Sequence, residues 1–126
     1  MATEERRYTS QHEWLVESTD DTVRIGITDY AQESLGDIVF VSLPQVGQEF
    51  AAGDIIGEVE STKSVSEIYA PLAGTVTARN DAVETAPETI NAAPYGDGWL
   101  VELRPAEESD AAEFLDEAAY AALIAR

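Results

Sequence analysis

In Gly57-Glu58-Val59-Glu60-Ser61-Thr62-Lys63-Ser64-Val65-Ser66-Glu67-Ile68-Tyr69, strand-forming residues flank a short stretch of small hydroxyl residues. This pattern predicts a β-hairpin with Lys63 at or near its tip. A lysine there is exposed on a stiff ribbon and has no packing role. Most surface lysines are ordinary solvated charges. This one is the only lysine in the chain, every other basic residue (Arg6, Arg7, Arg24, Arg79, Arg104 and Arg126) being arginine. A sole lysine presented on a turn that an enzyme can grip points to a covalent attachment site.

Outward from the hairpin, the chain reads as short strands separated by turn residues. His12 to Glu17 and Thr22 to Thr28 flank the acidic turn Ser18-Thr19-Asp20-Asp21. Val23, Ile25 and Ile27 alternate with Arg24 and Gly26, so one face of that strand is expected to be buried. The run Ile38-Val39-Phe40-Val41, within Asp37 to Leu43, is apolar enough to be buried on both faces. Ile55 to Glu60, Val65 to Tyr69 and Thr75 to Ala78 follow, and Trp99, Val101 and Leu103 share one face of a late strand. Short strands punctuated by glycine and proline predict a mainly β sandwich or barrel. Pro44-x-x-Gly47 with Gly53-Asp54 recurs 27 residues later as Pro71-x-x-Gly74 with Asn80-Asp81, suggesting two β-units joined by the hairpin.

Helices are few. Asp29 and Gln32 have capping-box spacing and Gly36 is a natural stop, so a short internal helix is expected between them. Pro87 to Ala92 suggests one further turn. Asp110 and Glu113 form a second box ahead of Ala111, Phe114, Leu115, Ala118 and Ala122, predicting a C-terminal helix over about 110–125 that lies on the sheet as a lid. Residues 1–7 read as a loose tail and 8–126 as a single domain. Tyr95-Gly96-Asp97-Gly98-Trp99 reads as a turn that delivers Trp99 to the core, since no strand-to-helix pattern surrounds it.

Composition narrows the chemistry. The 126 residues carry 25 acidic and 7 basic side chains, a net charge of −18, with one histidine and no cysteine. Disulfides, thiolate metal sites, cysteine nucleophiles and paired catalytic histidines are thereby excluded within the chain. A lone His12 beside Trp14 reads as structural. The charge should repel nucleic acid and anionic lipid. No apolar run has the length of a signal or a membrane span, so a cytoplasmic protein is expected. Excess acid with lysine nearly absent suggests a cytoplasm of high ionic strength. In 1 M salt the Debye length is about 3 Å and repulsion among surface carboxylates is largely screened.

Glu60-Ser61-Thr62-Lys63-Ser64-Val65-Ser66-Glu67-Ile68-Tyr69-Ala70-Pro71, with Gly74, resembles the lipoyl-attachment segment of the glycine cleavage system H-protein family. Tyr8-Thr9-Ser10-Gln11-His12-Glu13-Trp14 is similar to the start of that family. Its central block is matched by Gly26-Ile27-Thr28-Asp29-Tyr30-Ala31-Gln32, Leu35-Gly36-Asp37-Ile38-Val39-Phe40-Val41, Leu43-Pro44 and Val46-Gly47. Ile90-Asn91 and Pro94-Tyr95-Gly96-Asp97-Gly98-Trp99-Leu100 resemble its closing signature. The likeness runs in order from residue 8 to about 104. Biotinyl carriers, with methionines beside the lysine, and 2-oxo acid dehydrogenase lipoyl domains, with Asp before it, fit less well.

The resemblance implies a flattened lipoyl/biotinyl-type β-barrel, a barrel-sandwich hybrid, with a short internal helix and a C-terminal helix. It implies lipoate joined covalently to Lys63 and a monomeric carrier that is not itself an enzyme. Acylation would take the net charge to −19. The implied partners are a pyridoxal-phosphate glycine decarboxylase, a tetrahydrofolate-dependent aminomethyltransferase, a dihydrolipoyl dehydrogenase and a lipoate-attaching enzyme. A lipoate relay to other proteins is the alternative use of the same lysine. By position, Glu13 and Glu67 are the candidates to contact a cationic aminomethyl arm; Glu67 stands where the family commonly has Asp, and Gln11 at a variable position. The salt reading is independent of the resemblance. Circular dichroism should show cooperative loss of structure on dilution from molar to low salt; unchanged stability would contradict it.

Overall fold

Val23, Ile25 and Ile27 turn to one side of a strand and are buried, as their alternation demands. That strand belongs to a computed structural model describing residues 6–17, 21–106 and 114–125. In chain order the elements are β1 (Arg7–Tyr8), β2 (Glu13–Glu17), β3 (Val23–Ile27), α1 (Asp29–Leu35), β4 (Ile38–Ser42), β5 (Glu49–Phe50) and β6 (Ile55–Ser61). Then come β7 (Val65–Tyr69), β8 (Gly74–Arg79), α2 (Asp81–Thr85), α3 (Glu88–Ala92), β9 (Val101–Pro105) and α4 (Glu117–Ile124). Six strands form one sheet in the order β1-β2-β3-β9-β8-β5, and three form another, β4-β6-β7. All the pairings are antiparallel.

The main core gathers Leu15, Ile25, Val76 and Leu103 from the larger sheet and Val41, Ile56, Val59 and Ile68 from the smaller one. Leu35, Val83 and Ile90 join it from α1, α2 and α3. A second cluster, Tyr8, Trp14 and Tyr120, sits under the C-terminal helix. Thr28 caps α1 by accepting the Ala31 amide at 3.1 Å, and Gly36 ends it with φ of 82°.

Several expectations are corrected. Ile38-Val39-Phe40-Val41 is not buried on both faces: Val39 and Phe40 are 52% and 55% exposed. A bulge between Ile38 and Phe40 sets two residues of β4 against one register step of β6, so both side chains turn outward. Arg7 is not tail but pairs with Leu15 in the edge of the larger sheet. The C-terminal helix begins at Glu117, capped by Asp116, whose side chain accepts the Ala119 amide at 2.8 Å. Phe114 and Leu115 precede it, Leu115 forming a bridge with Tyr8, while Ala118 and Ala122 are exposed; Asp110, Ala111 and Glu113 lie outside the described residues. The buried member of α4 is Tyr120.

Trp99 is half-buried, ahead of β9, with the Arg24 guanidinium 4.4 Å over its ring; Leu100 takes the core position. The 27-residue repeat breaks at its glycines. Gly47 has φ of 96° in a turn, whereas Gly74 lies in β8, where a Cβ would come 2.5 Å from the Arg104 carbonyl oxygen. His12 is not in a strand but has φ of 67°, turning the chain into β2.

Gly26 is required by packing. It pairs with Trp14, and a Cβ on it would lie 2.7 Å from three indole atoms. The indole cannot easily move aside, because its N–H donates to the Pro94 carbonyl at 2.9 Å. Gly26→Ala should therefore cost about 1–3 kcal/mol in denaturant unfolding at molar salt. Wild-type stability in that variant would refute the packing account.

Candidate functional site

The β6–β7 hairpin closes on Ser61, which is buried at the base of its turn. The Ser61 hydroxyl oxygen accepts the Lys63 and Ser64 amides, each at 3.1 Å, and donates to the Ser64 carbonyl at 3.2 Å. The Ser61 amide also reaches that carbonyl at 2.8 Å, and the Thr62 amide donates to the Asp37 carbonyl at 3.1 Å. Every backbone amide from Ser61 to Ser64 is thus engaged, and the turn is held against the segment that leaves α1.

Asn91 fixes that segment in turn. Its side chain accepts the Ile38 amide at 2.9 Å and donates to the Gly36 carbonyl and the Gln32 side chain, both at 2.9 Å. Asp37, the partner of Thr62, is clamped from both sides. Local sequence around Asn91 gives no sign of this role, since its partners lie more than fifty residues away.

Lys63 extends from this rigid turn into solvent. Its ammonium makes no hydrogen bond or ion pair among the described residues, and its stem passes Gly36, where a Cβ would lie 3.7 Å from Lys63 Cε. An accessible, uncommitted primary amine on a fixed backbone is what acylation by an enzyme requires.

Glu13 stands at the far end of β7. It is 2% exposed, with Oε2 accepting the Tyr69 amide at 2.7 Å and Oε1 the Thr9 hydroxyl at 3.4 Å. Burial raises its pKa to about 7 against the opposing pull of those two donors. It faces a cleft of about 600 Å³ also lined by Tyr8, Thr9, Gln11, Tyr69, Phe114 and Leu115. Glu67 is exposed, opposite Glu58 on the outer face, and accepts the Tyr69 hydroxyl at 3.0 Å. Neither Glu67 nor Lys63 lines the cleft. Tyr69 therefore links the two glutamates, its amide on one and its phenol on the other. The sequence places Tyr69 at the end of the hairpin but gives it no such role, because the Glu13 contact spans 56 positions.

The outward face of the smaller sheet carries Phe40, Glu60 and Val65 in one cross-strand row beside the Lys63 turn, with Ser42, Glu58 and Glu67 in the next but one. Val39, Phe40 and Val65 are all about half exposed (52%, 55% and 55%), an apolar strip bordered by carboxylates.

A buried glutamate with a raised pKa binds more protons folded than unfolded between pH 4.5 and about 7, so its contribution to stability falls as pH rises through that window. Glu13→Gln keeps an acceptor for the Tyr69 amide and removes the charge. The variant should gain on the order of 2 kcal/mol over wild type between pH 5 and pH 8. A gap that stays constant with pH would count against the burial assignment.

The glycine cleavage H-protein family model matches residues 6–126. A glycine cleavage system H protein of Mycolicibacterium smegmatis is 62% identical over 97 residues, 77% of this chain and 74% of its own. That of Chromohalobacter salexigens is 51% identical over 118 residues, 94% of this chain and 90% of its own. The crystal structure of a glycine cleavage system H protein from Mycobacterium marinum superposes with a TM-score of 0.87 at 42% identity, covering 99% of this chain and 100% of that one. Its fold is the lipoyl-type barrel-sandwich that these two sheets form. With an anchored hairpin presenting a lone lysine and a match along nearly its whole length, this chain belongs to the glycine cleavage H-protein family.

Proposed function

We propose that Lys63 carries lipoate as an amide on Nζ and that the chain ferries the aminomethyl group of glycine on that arm. Family membership makes the protein a lipoyl carrier of the glycine cleavage system and not a catalyst. The observation that carries the site assignment is the ammonium of the sole lysine, unpaired among the described residues, on a turn whose neighbouring amides are all held. Bound lipoate supplies a reducible disulfide on a long arm, able to take up the one-carbon unit left when glycine loses carbon dioxide.

The chain's own groups position and protect. The Ser61-knit turn keeps the attachment point fixed, so the arm's freedom lies in its own single bonds. Glu13 offers a cationic aminomethyl group a desolvated carboxylate, and a cation in the cleft would favour its ionised form. Glu67 orients Tyr69 through its phenol and so supports the same cleft. The absence of cysteine leaves no protein thiol to exchange with the disulfide.

The outer strip of Val39, Phe40 and Val65 supports docking of the pyridoxal-phosphate decarboxylase, the folate-dependent aminomethyltransferase, the dihydrolipoyl dehydrogenase and the lipoate-attaching enzyme, which all must reach Lys63. Its glutamates favour partners with basic rims, and strong salt shortens the range of that steering. The carrier is read as a monomer in a salt-rich cytoplasm; no described helix is long and apolar enough to cross a membrane.

Reconstitution tests the proposal. Lipoylated protein incubated with the decarboxylase and glycine should gain an aminomethyl group on the Lys63 peptide, and Lys63→Arg should gain none. No glycine-dependent gain, with lipoate passing instead to another lipoyl protein, would favour the relay reading.

A further inference from the structure

Tyr120, the buried residue of α4, joins two segments far from it in sequence. Its hydroxyl lies 2.8 Å from His12 Nδ1 and 2.8 Å from Thr28 Oγ1, and its ring stacks on Tyr8 at 4.6 Å and 7°. Thr28 is fully buried, and its Oγ1 already accepts the Ala31 amide as the cap of α1. The titratable groups facing His12 are Tyr30 from α1 and Tyr120 from α4, with Glu13 next along the chain; Tyr8 and Tyr95 reach the group through Tyr120. Burial lowers the pKa of His12 and raises that of Tyr120, so both are uncharged at neutral pH.

One proton arrangement satisfies every member. Thr28 donates to the Tyr120 oxygen and Tyr120 donates to Nδ1 of a His12 whose proton is on Nε2. Protonating Nδ1 reverses the row: the imidazolium donates to Tyr120, and Tyr120 donates to Thr28. The Thr28 proton is then left buried with no acceptor among the described residues. An unsatisfied buried donor is the costly outcome for a polar network.

The row ends at the cleft. Tyr8, stacked on Tyr120, lines it together with Leu115, and these two residues exchange both backbone hydrogen bonds at 2.9 Å. We propose that His12, Tyr120 and Thr28 form a proton-operated latch, in which neutral His12 holds α4 and the Tyr8–Leu115 wall of the cleft in place and protonated His12 releases them. The latch requires no assumption about what the cleft receives. Because the folded histidine binds its proton less readily than an unfolded one, the latch is complete above about pH 6.5 and weakens as pH falls below it.

Amide exchange on the full chain in molar salt tests this. Opening constants for α4, corrected for intrinsic exchange, should rise roughly tenfold from pH 8 to pH 5, while β3 and β9 stay protected. Tyr120→Phe should abolish the step. His12→Gln, which keeps an acceptor but does not titrate, covers the case in which the Phe variant frays α4 at every pH; it too should be flat. His12 is the only histidine, so its ring proton resonance reports its titration directly. Its midpoint should lie below 6.5 and move toward that value in Tyr120→Phe. A step that persists in either variant, or no step in wild type, would overturn the latch.

Discussion

A serine hydroxyl holds the turn on which the role proposed for Lys63 depends. By collecting the Lys63 and Ser64 amides, the Ser61 side chain lets the β6–β7 ribbon reverse with its polar backbone satisfied. Lys63 is then left with a rigid base and a tip that no described residue engages. Hydrogen bonds from Thr62 to Asp37, and from Asn91 around Asp37, carry that rigidity back into α1, α3 and β4. The lysine is thus presented by the whole of the smaller sheet and its neighbours. Presentation of this kind suits a carrier, whose attachment point must be read by several enzymes in one geometry.

Tyr69 plays a comparable part for the carboxylates. A buried Glu13 would be costly with no donor; the Tyr69 amide and the Thr9 hydroxyl reduce that cost without giving it a counter-ion. No described cation pairs with Glu13, which leaves it suited to a positively charged visitor. The same tyrosine uses its phenol to hold Glu67 on the outer face. One strand of five residues therefore connects the Lys63 turn, the outer acidic surface and the inner cleft.

Features that depend on neighbours in sequence were legible. The hairpin, the alternation of Val23, Ile25 and Ile27, and the α1 stop at Gly36 all follow from local rules, and the structure has them where those rules put them. Features set by long-range pairing were not. Four apolar residues in a row read as a buried strand, but the bulge opposite β6 turns Val39 and Phe40 outward. The Tyr8–Leu115 bridge takes Phe114 and Leu115 out of a helix whose spacing had included them. Gly74 looked like a turn glycine because nothing local reveals the Arg104 carbonyl pressed against it. Glu13 and Glu67 were picked by likeness of position, whereas their different environments, one buried and one solvated, arise from packing alone.

The acidic surface and the single lysine are two sides of one composition. With 25 carboxylates and a single lysine, the chain places that lysine's amine where no ion pair with a described residue masks it. The most direct measurement is mass analysis of the Lys63 peptide from protein purified out of its native cells. A lipoyl amide on Lys63 is the expected result. A lysine found wholly unmodified in cells that are actively consuming glycine would contradict the account.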